Sequence, residues 1–233
     1  IITSKKIMKK YDIAIKRRIK KEPVAYITGK KEFWSEDFAV NRATLVPRPE
    51  TELLIYRVVN FFKNKKINIL DIGTGSGCIL LSILRELNNS RGIGIDISHK
   101  AVKVAIKNSK KLNLSNRVKF KVFDIDKFYL GKYDLIVSNP PYIPARDIKN
   151  LSKDIKNHEP IIALNGGLDG LDLIKKVIYK SKYLLKKNGL LALEIGNNQY
   201  LKVSSLLKFC GYKEKGREYD YKRNVRCIIS TKM

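Results

Sequence analysis

Hydrophobic and polar residues follow two alternating periods along most of the chain. From residue 67 onward, short apolar runs of the strand type are followed by longer segments whose apolar residues recur at helical spacing. This alternation predicts an α/β fold with a mostly parallel, seven-stranded sheet and helices on both of its faces. The predicted strands span 67–72, 92–96, 118–124, 133–139, 190–196, 212–218 and 225–231, and the predicted helices span 76–88, 99–112, 169–187 and 198–210.

Residues 4–20 show a helical period of their own. The apolar side chains of this segment recur four residues apart, which places them on one face of an amphipathic helix. A single amphipathic helix needs another surface to cover its apolar face. We therefore expect residues 1–21 to be the last helix of a larger N-terminal helical domain. The apolar stripe comprises Ile7, Tyr11, Ile15 and Ile19.

Residues 22–48 join this helix to the sheet and contain no long periodic segment. Their short strand-like pieces are separated by Gly29, which predicts a linker with a β-hairpin. Pro49 and Glu50 suit the first turn of the next helix, because proline is tolerated there and an acidic side chain is favourable at the positive helix end. The α/β domain is therefore predicted to cover residues 49–233.

The formal net charge of the chain is +26, with 48 basic and 22 acidic residues. Such a charge is typical of proteins that meet nucleic acid or an RNA-rich particle. However, Lys outnumbers Arg 36 to 12 and is spread along the chain, as an AT-rich coding sequence would also produce. The charge alone therefore identifies no partner, and we expect no stable complex with nucleic acid.

The cysteines and histidines indicate neither a metal site nor a disulfide framework. They lie far apart in the sequence, and no CxxC pair occurs. The chain has no apolar run of about 18 residues, and its first residues lack the apolar core of a secretory signal, so we expect no membrane span. These features favour a reducing cytoplasm, with no metal and no membrane partner. The residues concerned are Cys78, Cys210, Cys227, His99 and His158.

A glycine-rich stretch, DIGTGSG, follows the first predicted strand of the sheet. In such sheets ligands bind beyond the carboxyl ends of the strands, and glycines let the backbone approach a ligand closely. The spacing fails the dinucleotide fingerprint because position 78 is Cys. The leading carboxylate would repel a pyrophosphate but suits a cationic ligand. The predicted cofactor-binding residues of this stretch are Asp71, Gly73, Thr74, Gly75, Ser76 and Gly77.

Two more acidic residues end the second and third strands of the predicted sheet. Asp96 can accept hydrogen bonds from the two adjacent hydroxyls of a ribose. Asp124 can accept from the exocyclic amine of adenine, and Ile125 beside it can lie on the face of the base. Three carboxylates at successive strand ends, together with the glycine loop, fit S-adenosylmethionine better than a cofactor that carries phosphate.

The fourth predicted strand ends in NPPY, residues 139–142, at the same edge of the sheet. A planar –NH2 group is a weak nucleophile, so its nitrogen must be held in line with the S–CH3 bond of a methyl donor. The side-chain oxygen of Asn139 can accept one N–H, and the carbonyl of Pro140 can accept the other. Tyr142 offers an aromatic face or edge to the planar group. We predict these three residues as catalytic and Pro141 as part of the substrate site, acting by positioning without a strong general base.

NPPY suits two classes of substrate. One is the exocyclic amine of adenine or another base in nucleic acid, and the other is the side-chain amide of glutamine in protein. Enzymes that modify a base usually need additional segments to extrude and read it, and none is visible in this sequence. The motif itself leaves both classes open.

Two further stretches, VNRATLVPRPETE (residues 40–52) and HEPIIALNGGLDGLD (158–172), occur in order with the glycine loop and NPPYI. Together they resemble the HemK-type release factor glutamine methyltransferases, and the resemblance runs from about residue 22 to the end of the chain. It implies a Rossmann-like, class I S-adenosylmethionine-dependent methyltransferase fold. It also implies methylation of the glutamine amide in the Gly-Gly-Gln motif of class I peptide chain release factors, with S-adenosyl-L-homocysteine as the product.

The resemblance adds residues to the predicted site. Asn139 would contact the cofactor as well as the glutamine, and Arg48 and Glu50 would line the entrance and brace the NPPY loop. The N-terminal helical domain would hold the release factor, and association with the ribosome is a further expectation. A second loop near the site would contain Glu159, Pro160, Gly166, Gly167 and Gly170.

This chain departs from the family pattern at the predicted adenine contact. Members commonly carry an aromatic residue where this sequence has Ile125, which we expect to loosen stacking without abolishing binding. Two other substrates stay open beside release factors. One is a glutamine of a ribosomal protein, and the other is an adenine or guanine amine in nucleic acid, which the positive charge favours.

Overall fold

The computed structural model describes residues 2–233, so residue 1 of the predicted N-terminal helix lies outside the described part. Two strands form a hairpin, and seven others form a larger sheet. The strands are β1 (Lys30–Phe33), β2 (Glu36–Ala39), β3 (Asn68–Ile72), β4 (Arg91–Asp96), β5 (Val118–Val122), β6 (Tyr133–Ser138), β7 (Leu185–Glu194), β8 (Tyr212–Tyr219) and β9 (Val225–Lys232). The helices are α1 (Ile2–Ile19), α2 (Val24–Thr28), α3 (Glu52–Phe62), α4 (Cys78–Glu86), α5 (His99–Lys111), α6 (Lys153–Lys156), α7 (Asp172–Leu184) and α8 (Tyr200–Phe209).

The larger sheet has the strand order β5-β4-β3-β6-β7-β9-β8. Strands β3 to β7 run parallel to their neighbours, and β9 is antiparallel to both β7 and β8. The prediction of a mostly parallel, seven-stranded α/β sheet is therefore confirmed. The chain moves outward from β3 to β5 and then returns to place β6 on the other side of β3. Such a reversal opens a crevice at the carboxyl ends of the two central strands.

Apolar side chains alternate between the two faces of the central strands, so helices pack on both. In β3, Ile69 belongs to the core layer shared with α3 and α4, whereas Leu70 and Ile72 belong to the layer shared with α7 and α8. A strand buried on both faces reads as a continuous apolar run, and that pattern is what the sequence shows. The sheet is therefore a rigid base for the segments that follow its strands.

Several element boundaries differ from the predicted ones. β7 begins at Leu185 rather than at residue 190, because Leu185 pairs with Tyr133 and an irregularity separates this pair from the rest of the ladder. α7 begins at Asp172 rather than at 169, because the preceding glycine-containing segment forms a loop. β5 and β6 end before Asp124 and Asn139, respectively, so both predicted site residues lie just beyond their strands.

The predicted hairpin between α1 and the sheet is present as the antiparallel pair β1–β2. Glu22, after α1, accepts hydrogen bonds from Arg17 at 2.7 Å and from Arg42 at 3.3 Å, which ties the helix to the linker. The apolar stripe of α1 is exposed, and Ile19 leaves 72% of its surface accessible. None of the helices within residues 2–233 combines the length and the apolar character that crossing a bilayer demands.

Candidate functional site

A cavity of about 510 Å³ opens at the carboxyl ends of β3, β4, β5 and β6. Small-molecule sites typically span roughly 300–1,000 Å³, so the cavity has room for a nucleoside-sized ligand. The wall is formed by the glycine loop, the residues after β4, the residues after β5, the NPPY loop, the start of α7, and two segments that cover the cavity, residues 43–51 and 160–167. The predicted site residues on the wall are Arg48, Gly73, Thr74, Gly75, Ser76, Asp96, Asp124, Ile125, Asn139 and Pro141.

The glycine loop between β3 and α4 presents its backbone to the cavity. The N–H groups of Gly73 and Thr74 donate to the carbonyl of Ile95 at 2.9 and 3.0 Å, which anchors the loop to β4. A Cβ on Gly77 would lie 3.0 Å from the ring of Phe120, so only glycine allows α4 to pack this closely on the sheet. The loop needs glycine for its backbone conformation as well, since φ is 74° at Gly73, 55° at Gly75 and 80° at Gly77.

Asp71 lies behind the glycine loop and not on the cavity wall, which differs from its predicted direct contact with a cationic ligand. The side chain is fully buried. Its Oδ2 accepts a hydrogen bond from Thr74 Oγ1 at 2.6 Å, and its Oδ1 has no partner among the described residues. Burial raises the pKa of Asp71 to about 7, with the Thr74 hydrogen bond opposing the shift and the negative charge of Asp96 adding to it. Asp71 therefore acts on the site through Thr74 and through its charge.

Asp96 is the last residue of β4 and lies on the wall, as predicted. Its Oδ2 accepts from the N–H of Gly75 at 2.9 Å, and its Oδ1 accepts from the N–H of Ser98 at 2.8 Å. Burial raises the pKa of this carboxyl, and the two backbone hydrogen bonds oppose the shift. Each oxygen can accept a second hydrogen bond. Because Ser98 caps α5 by accepting from Ala101, Asp96 is not needed for that task.

Asp124 and Ile125 also lie on the wall, immediately after β5. Asp124 Oδ1 accepts from the N–H of Asp126 at 2.9 Å in a tight local turn, so this oxygen is partly satisfied within the turn. Ile125 is buried against the core and turns one edge to the cavity. The structure therefore brings the predicted adenine-binding pair to the same wall as Asp96.

Among the apolar wall residues that were not predicted from the sequence, two lie beside predicted aspartates. Phe123 precedes Asp124 and packs edge-on against Phe128, with ring centroids 5.3 Å apart and planes at 82°. Ile97 follows Asp96 and is 57% exposed at the cavity. Their position in the sequence could have identified them as site residues, because each of them adjoins an aspartate at a strand end. Phe123 supplies an aromatic side chain close to the position where the family pattern has one.

Asn139 lies on the wall at the end of β6, and its side-chain nitrogen is already engaged. Its Nδ2 donates to Thr51 Oγ1 at 3.2 Å, and Thr51 Oγ1 donates to Glu194 Oε2 at 2.6 Å. No described residue donates a hydrogen bond to Asn139 Oδ1 or to the carbonyl of Pro140. Two acceptors are therefore free next to each other, which is what the interpretation of NPPY requires.

Tyr142 and Pro140 lie behind the wall. The hydroxyl of Tyr142 donates to Glu194 Oε1 at 3.3 Å and accepts from Arg226 Nη2 at 3.2 Å, and the guanidinium lies 5.5 Å from the centre of its ring. Burial raises the pKa of Tyr142 to about 12. Tyr142 thus supports the NPPY loop from behind. The sequence predicted that its ring would face the planar group of the substrate, but the structure does not place the ring on the cavity wall.

Glu194 was not predicted as a site residue, yet it joins these contacts. It is the last residue of β7, and only 1% of its surface is exposed. Burial raises the pKa of its carboxyl, and the hydrogen bond from Thr51 and the charge of Arg226 oppose the shift. The nearest signal in the sequence is an acidic residue that closes an otherwise apolar strand.

Arg48 lines the cavity and forms an ion pair with Glu159, with 2.5 Å between Nη2 and Oε1. Glu159 also accepts from the N–H of Val46 at 3.2 Å, so it joins the two covering segments. Glu50, predicted at the entrance with Arg48, is not on the wall. The contact that braces Asn139 comes instead from Thr51, the next residue, whose side chain is buried at the end of the short 3-10 turn Pro49–Thr51 before α3.

The predicted glycine loop after Glu159 packs directly on the backbone that follows NPPY. Ile143 donates to the carbonyl of Leu164 at 3.1 Å and accepts from the N–H of Gly166 at 2.8 Å. A Cβ on Gly166 would lie 2.8 Å from the carbonyl oxygen of Pro141, and one on Gly170 would lie 2.4 Å from that of Tyr142. These glycines therefore let the two loops approach each other, as the resemblance implied.

No group of three or more His, Cys, Asp and Glu side chains suited to a metal ion occurs in residues 2–233. Cys78 lies on the cavity wall, and burial raises the pKa of its thiol to about 12. Its thiol is therefore protonated and unreactive at neutral pH. The polar chemistry of the cavity comes from carboxylates, amides and backbone groups.

Comparison with known proteins agrees with this arrangement. A family model described as a methyltransferase domain matches residues 63–208. The release factor glutamine methyltransferase of Rhodospirillum rubrum is 40% identical over 219 residues, which cover 94% of this chain and 67% of that protein. The protein of the same name from Clostridium acetobutylicum is 39% identical over 229 residues, which cover 97% of this chain and 80% of that protein.

A solved structure, the hMettl16 catalytic domain in complex with the MAT2A 3′UTR hairpin 6, superposes with a TM-score of 0.66. The two chains share 18% identity, and the match covers 90% of this chain and 81% of the other. At that identity the likeness supports the fold alone. The two relatives named above match at 40% and 39% identity over 94% and 97% of this chain. The chain therefore belongs to the release factor glutamine methyltransferase family and has the Rossmann-like fold of class I methyltransferases.

Proposed function

We propose that the protein methylates the side-chain amide nitrogen of the glutamine in the Gly-Gly-Gln motif of class I peptide chain release factors, in the cytoplasm. Family membership implies S-adenosylmethionine as the methyl donor, and S-adenosyl-L-homocysteine is then the second product. One observation carries the choice of an –NH2 group as acceptor, and family membership supports glutamine as its source. The side chain of Asn139 lies on the cavity wall with its nitrogen engaged by Thr51 and its oxygen free.

The cavity wall fits S-adenosylmethionine, which supplies a methyl group on a positively charged sulfur when bound. Asp96 would accept from the ribose hydroxyls, and Asp124 would accept from the adenine amine. Ile97, Phe123 and Ile125 would flank the base, since all three lie on the same wall. The unpartnered, buried Oδ1 of Asp71 supports a cationic ligand beyond the glycine loop, because an ionised carboxylate there favours positive charge nearby.

The acceptor glutamine would be held by two fixed oxygens. Asn139 Oδ1 would accept one amide N–H, and the Pro140 carbonyl, whose direction is set by the two proline rings, would accept the other. Holding both N–H groups fixes the direction of the nitrogen lone pair. Positioning of this kind supplies several kcal/mol, of the roughly 7–11 kcal/mol available from orientation. The nitrogen loses one proton after it accepts the methyl group, so no strong base is needed beforehand.

The proposal is tested by offering the protein a labelled methyl donor and several acceptors. We expect label in a class I release factor and none in the same factor whose Gly-Gly-Gln glutamine is changed to alanine. Mass spectrometry of the labelled peptide should place the methyl group on the glutamine side chain. The Asn139→Ala protein is the matched control. Label in the factor that lacks the glutamine would contradict the proposal.

Two other acceptors belong in the same assay. The net charge of +26 favours nucleic acid, so DNA and RNA are included as base-amine acceptors. Ribosomal protein is included because a glutamine amide there would meet the same two oxygens. Preferential labelling of either one would identify it as the substrate instead of the release factor. The proposal that the site transfers a methyl group to an –NH2 group would still hold.

We also propose that α1 ends a larger helical domain that grips the release factor. The exposed stripe on α1 supports this proposal, because Ile7, Tyr11, Ile15 and Ile19 are all uncovered in residues 2–233. The test compares the chain of residues 1–233 with a form that carries additional natural helices before it, and kcat/KM is measured on one release factor. Equal values would contradict a gripping role.

A further inference from the structure

Glu194 is a buried carboxylate that lies two hydrogen bonds away from the free oxygen of Asn139. Ser138 pairs with Leu193 in the sheet, so Asn139 and Glu194 are the next residues on adjacent strands. Thr51 bridges them, donating to Glu194 at 2.6 Å and accepting from Asn139 at 3.2 Å. We propose that Glu194, acting through Thr51, orients the Asn139 amide with its oxygen toward the cavity, and thereby makes the site selective for an –NH2 acceptor. This inference rests on the proposed function.

The orientation follows from counting protons. An ionised carboxylate only accepts hydrogen bonds, and a threonine hydroxyl has a single proton to donate. Because Glu194 takes that proton, the oxygen of Thr51 can only accept from Asn139. The group of Asn139 that faces Thr51 must then be the NH2, and the oxygen must face the cavity. Amide orientations are assigned from such networks, and here the network allows one.

The opposite orientation would defeat the site. If no acceptor stood beyond Thr51, its proton could be donated to the oxygen of Asn139, and the side-chain NH2 would turn to the cavity. A donor would then face the N–H groups of the substrate, and neither could be satisfied. Glu194 therefore determines whether the cavity accepts a hydrogen-bond donor or rejects it.

A structural role alone does not explain this carboxylate. Burying a charge is costly unless it is paired, and replacing buried charges by apolar residues is often neutral or stabilising. No Lys or Arg in residues 2–233 forms an ion pair with Glu194. Arg226 is linked to it by hydrogen bonds through the hydroxyl of Tyr142, and its charge partly opposes the rise in the pKa of Glu194. The second carboxylate oxygen holds Tyr142, so both oxygens serve the loop that carries Asn139.

The kinetic test uses two replacements of Glu194. Glu194→Met removes both acceptor oxygens, and we expect kcat on the release factor to fall about tenfold or more. The dissociation constant of the cofactor should stay within about twofold of the parent value, because other residues would hold the cofactor. Glu194→Gln keeps one oxygen and should give an intermediate kcat. Glu214→Gln is the matched control. Glu214 lies outside the cavity and also accepts hydrogen bonds from hydroxyls, those of Tyr200 and Ser204. The kcat of this variant should equal that of the parent.

A double-mutant cycle separates orientation from general damage. In the Asn139→Ala background there is no amide to orient, so Glu194→Met should lower kcat much less than it does in the parent, and the remaining loss should come from the contact with Tyr142. The full additional loss in that background would overturn the proposal. Should Glu194→Met fail to fold, Thr51→Val and Thr51→Ser serve instead. We expect Val to lower kcat and Ser, which restores the hydroxyl, to recover most of it.

A second measurement does not depend on the substrate. The side-chain NH2 signals of Asn139 in a ¹⁵N NMR spectrum are identified by their loss in Asn139→Ala. We expect them to shift and to exchange faster with water in Thr51→Val and in Glu194→Met, and to stay unchanged in Glu214→Gln. Unchanged signals in the first two variants would overturn the inference about Glu194, whereas failure to label a release factor would overturn only the proposed function.

Discussion

The two halves of the cavity are held together by different kinds of contact. In the cofactor half, Asp96 accepts from backbone N–H groups of Gly75 and Ser98, and the side-chain hydrogen bond between Thr74 and Asp71 joins residues only three positions apart. In the acceptor half, side chains bond to other side chains from distant parts of the chain, as Asn139 does with Thr51. The cofactor half comprises the glycine loop, Asp71, residues 96–98 and residues 123–125, and the acceptor half comprises residues 48–51, 139–142, Glu159, Glu194 and Arg226.

This difference separates binding from orientation. A carboxylate held by backbone N–H groups keeps its place when a neighbouring side chain changes, so damage in the cofactor half should remain local. In the acceptor half, each side chain depends on the next, so a single change alters the direction of a donor or acceptor at the reaction centre. We therefore expect substitutions in the first half to change the affinity for the cofactor, and those in the second to change turnover.

The largest expected effect is on turnover in the acceptor half. Asn139→Ala removes one of the two fixed acceptors for the substrate amide, and kcat should fall by roughly 10²–10³, as happens when one preorganised polar group is lost. The affinity for S-adenosylmethionine, measured by calorimetry, should change little. Asn68→Ala, at an exposed position at the opposite end of the sheet, is the control and should retain full turnover. A parent-like kcat in Asn139→Ala would remove the distinction between the halves.

The next effect concerns stability and the buried carboxylate of the cofactor half. Because the pKa of Asp71 is raised to about 7 in the folded protein, the folded state holds its proton more tightly than the unfolded state. The resulting contribution to stability is present below about pH 4, the unfolded value, and is lost as pH rises toward 7. The free energy of unfolding of the protein without cofactor should therefore decrease on the order of 4 kcal/mol across that window because of this group.

Urea unfolding at several pH values tests this effect. Asp71→Asn removes the titrating group, so the variant should lose the decrease between about pH 4 and pH 7 that is due to Asp71. Asp134→Asn is the control, because that carboxylate pairs with Lys186 near the surface, and it should keep the dependence of the parent. If Asp71→Asn and the parent showed the same slope, Asp71 would not be ionising inside the folded protein.

The same contrast explains what could be predicted from the sequence. The cofactor half follows local rules: a glycine loop after a strand, an aspartate at a strand end and a serine cap. Its backbone was therefore predictable. The depth of Asp71 was not, since burial depends on how the loop folds over it, and neither were the wall positions of Ile97 and Phe123. The sheet order was accessible for the same reason, because alternating strands and helices allow few arrangements.

The acceptor half depends on contacts across long stretches of sequence. The hydrogen bond between Thr51 and Glu194 joins the turn before α3 to the end of β7, and no local pattern shows that these two residues are partners. Tyr142 was predicted to offer its aromatic face or edge to the planar group of the substrate. The structure turns it away, since Glu194 and Arg226 bind its hydroxyl behind the wall. Such contacts become visible only when the sheet brings the strand ends together.

A smaller effect is expected on the affinity for the cofactor. Asp96→Ala removes the acceptor proposed for the ribose hydroxyls, and hydrogen bonds to a charged group contribute about 1.5–3 kcal/mol each. The dissociation constant for S-adenosylmethionine should therefore rise about tenfold or more. Asp37→Ala, in the hairpin β1–β2, is the control. The kcat of Asp96→Ala at saturating cofactor should stay close to the parent value. If calorimetry found the parent affinity in Asp96→Ala, the assignment of Asp96 to the ribose would be wrong.

The smallest effect concerns the aromatic residue of the cofactor half. Phe123 lies on the wall beside Ile125, and its ring is held edge-on by Phe128. If it flanks the adenine, Phe123→Leu removes an aromatic contact of about 0.5–1.5 kcal/mol, which is roughly a two- to tenfold rise in the dissociation constant. Phe61→Leu, on the exposed side of α3, should leave the affinity unchanged. Equal affinities of parent and Phe123→Leu would assign the base to Ile97 and Ile125 alone, and binding by aliphatic side chains would then be a property of this chain within its family.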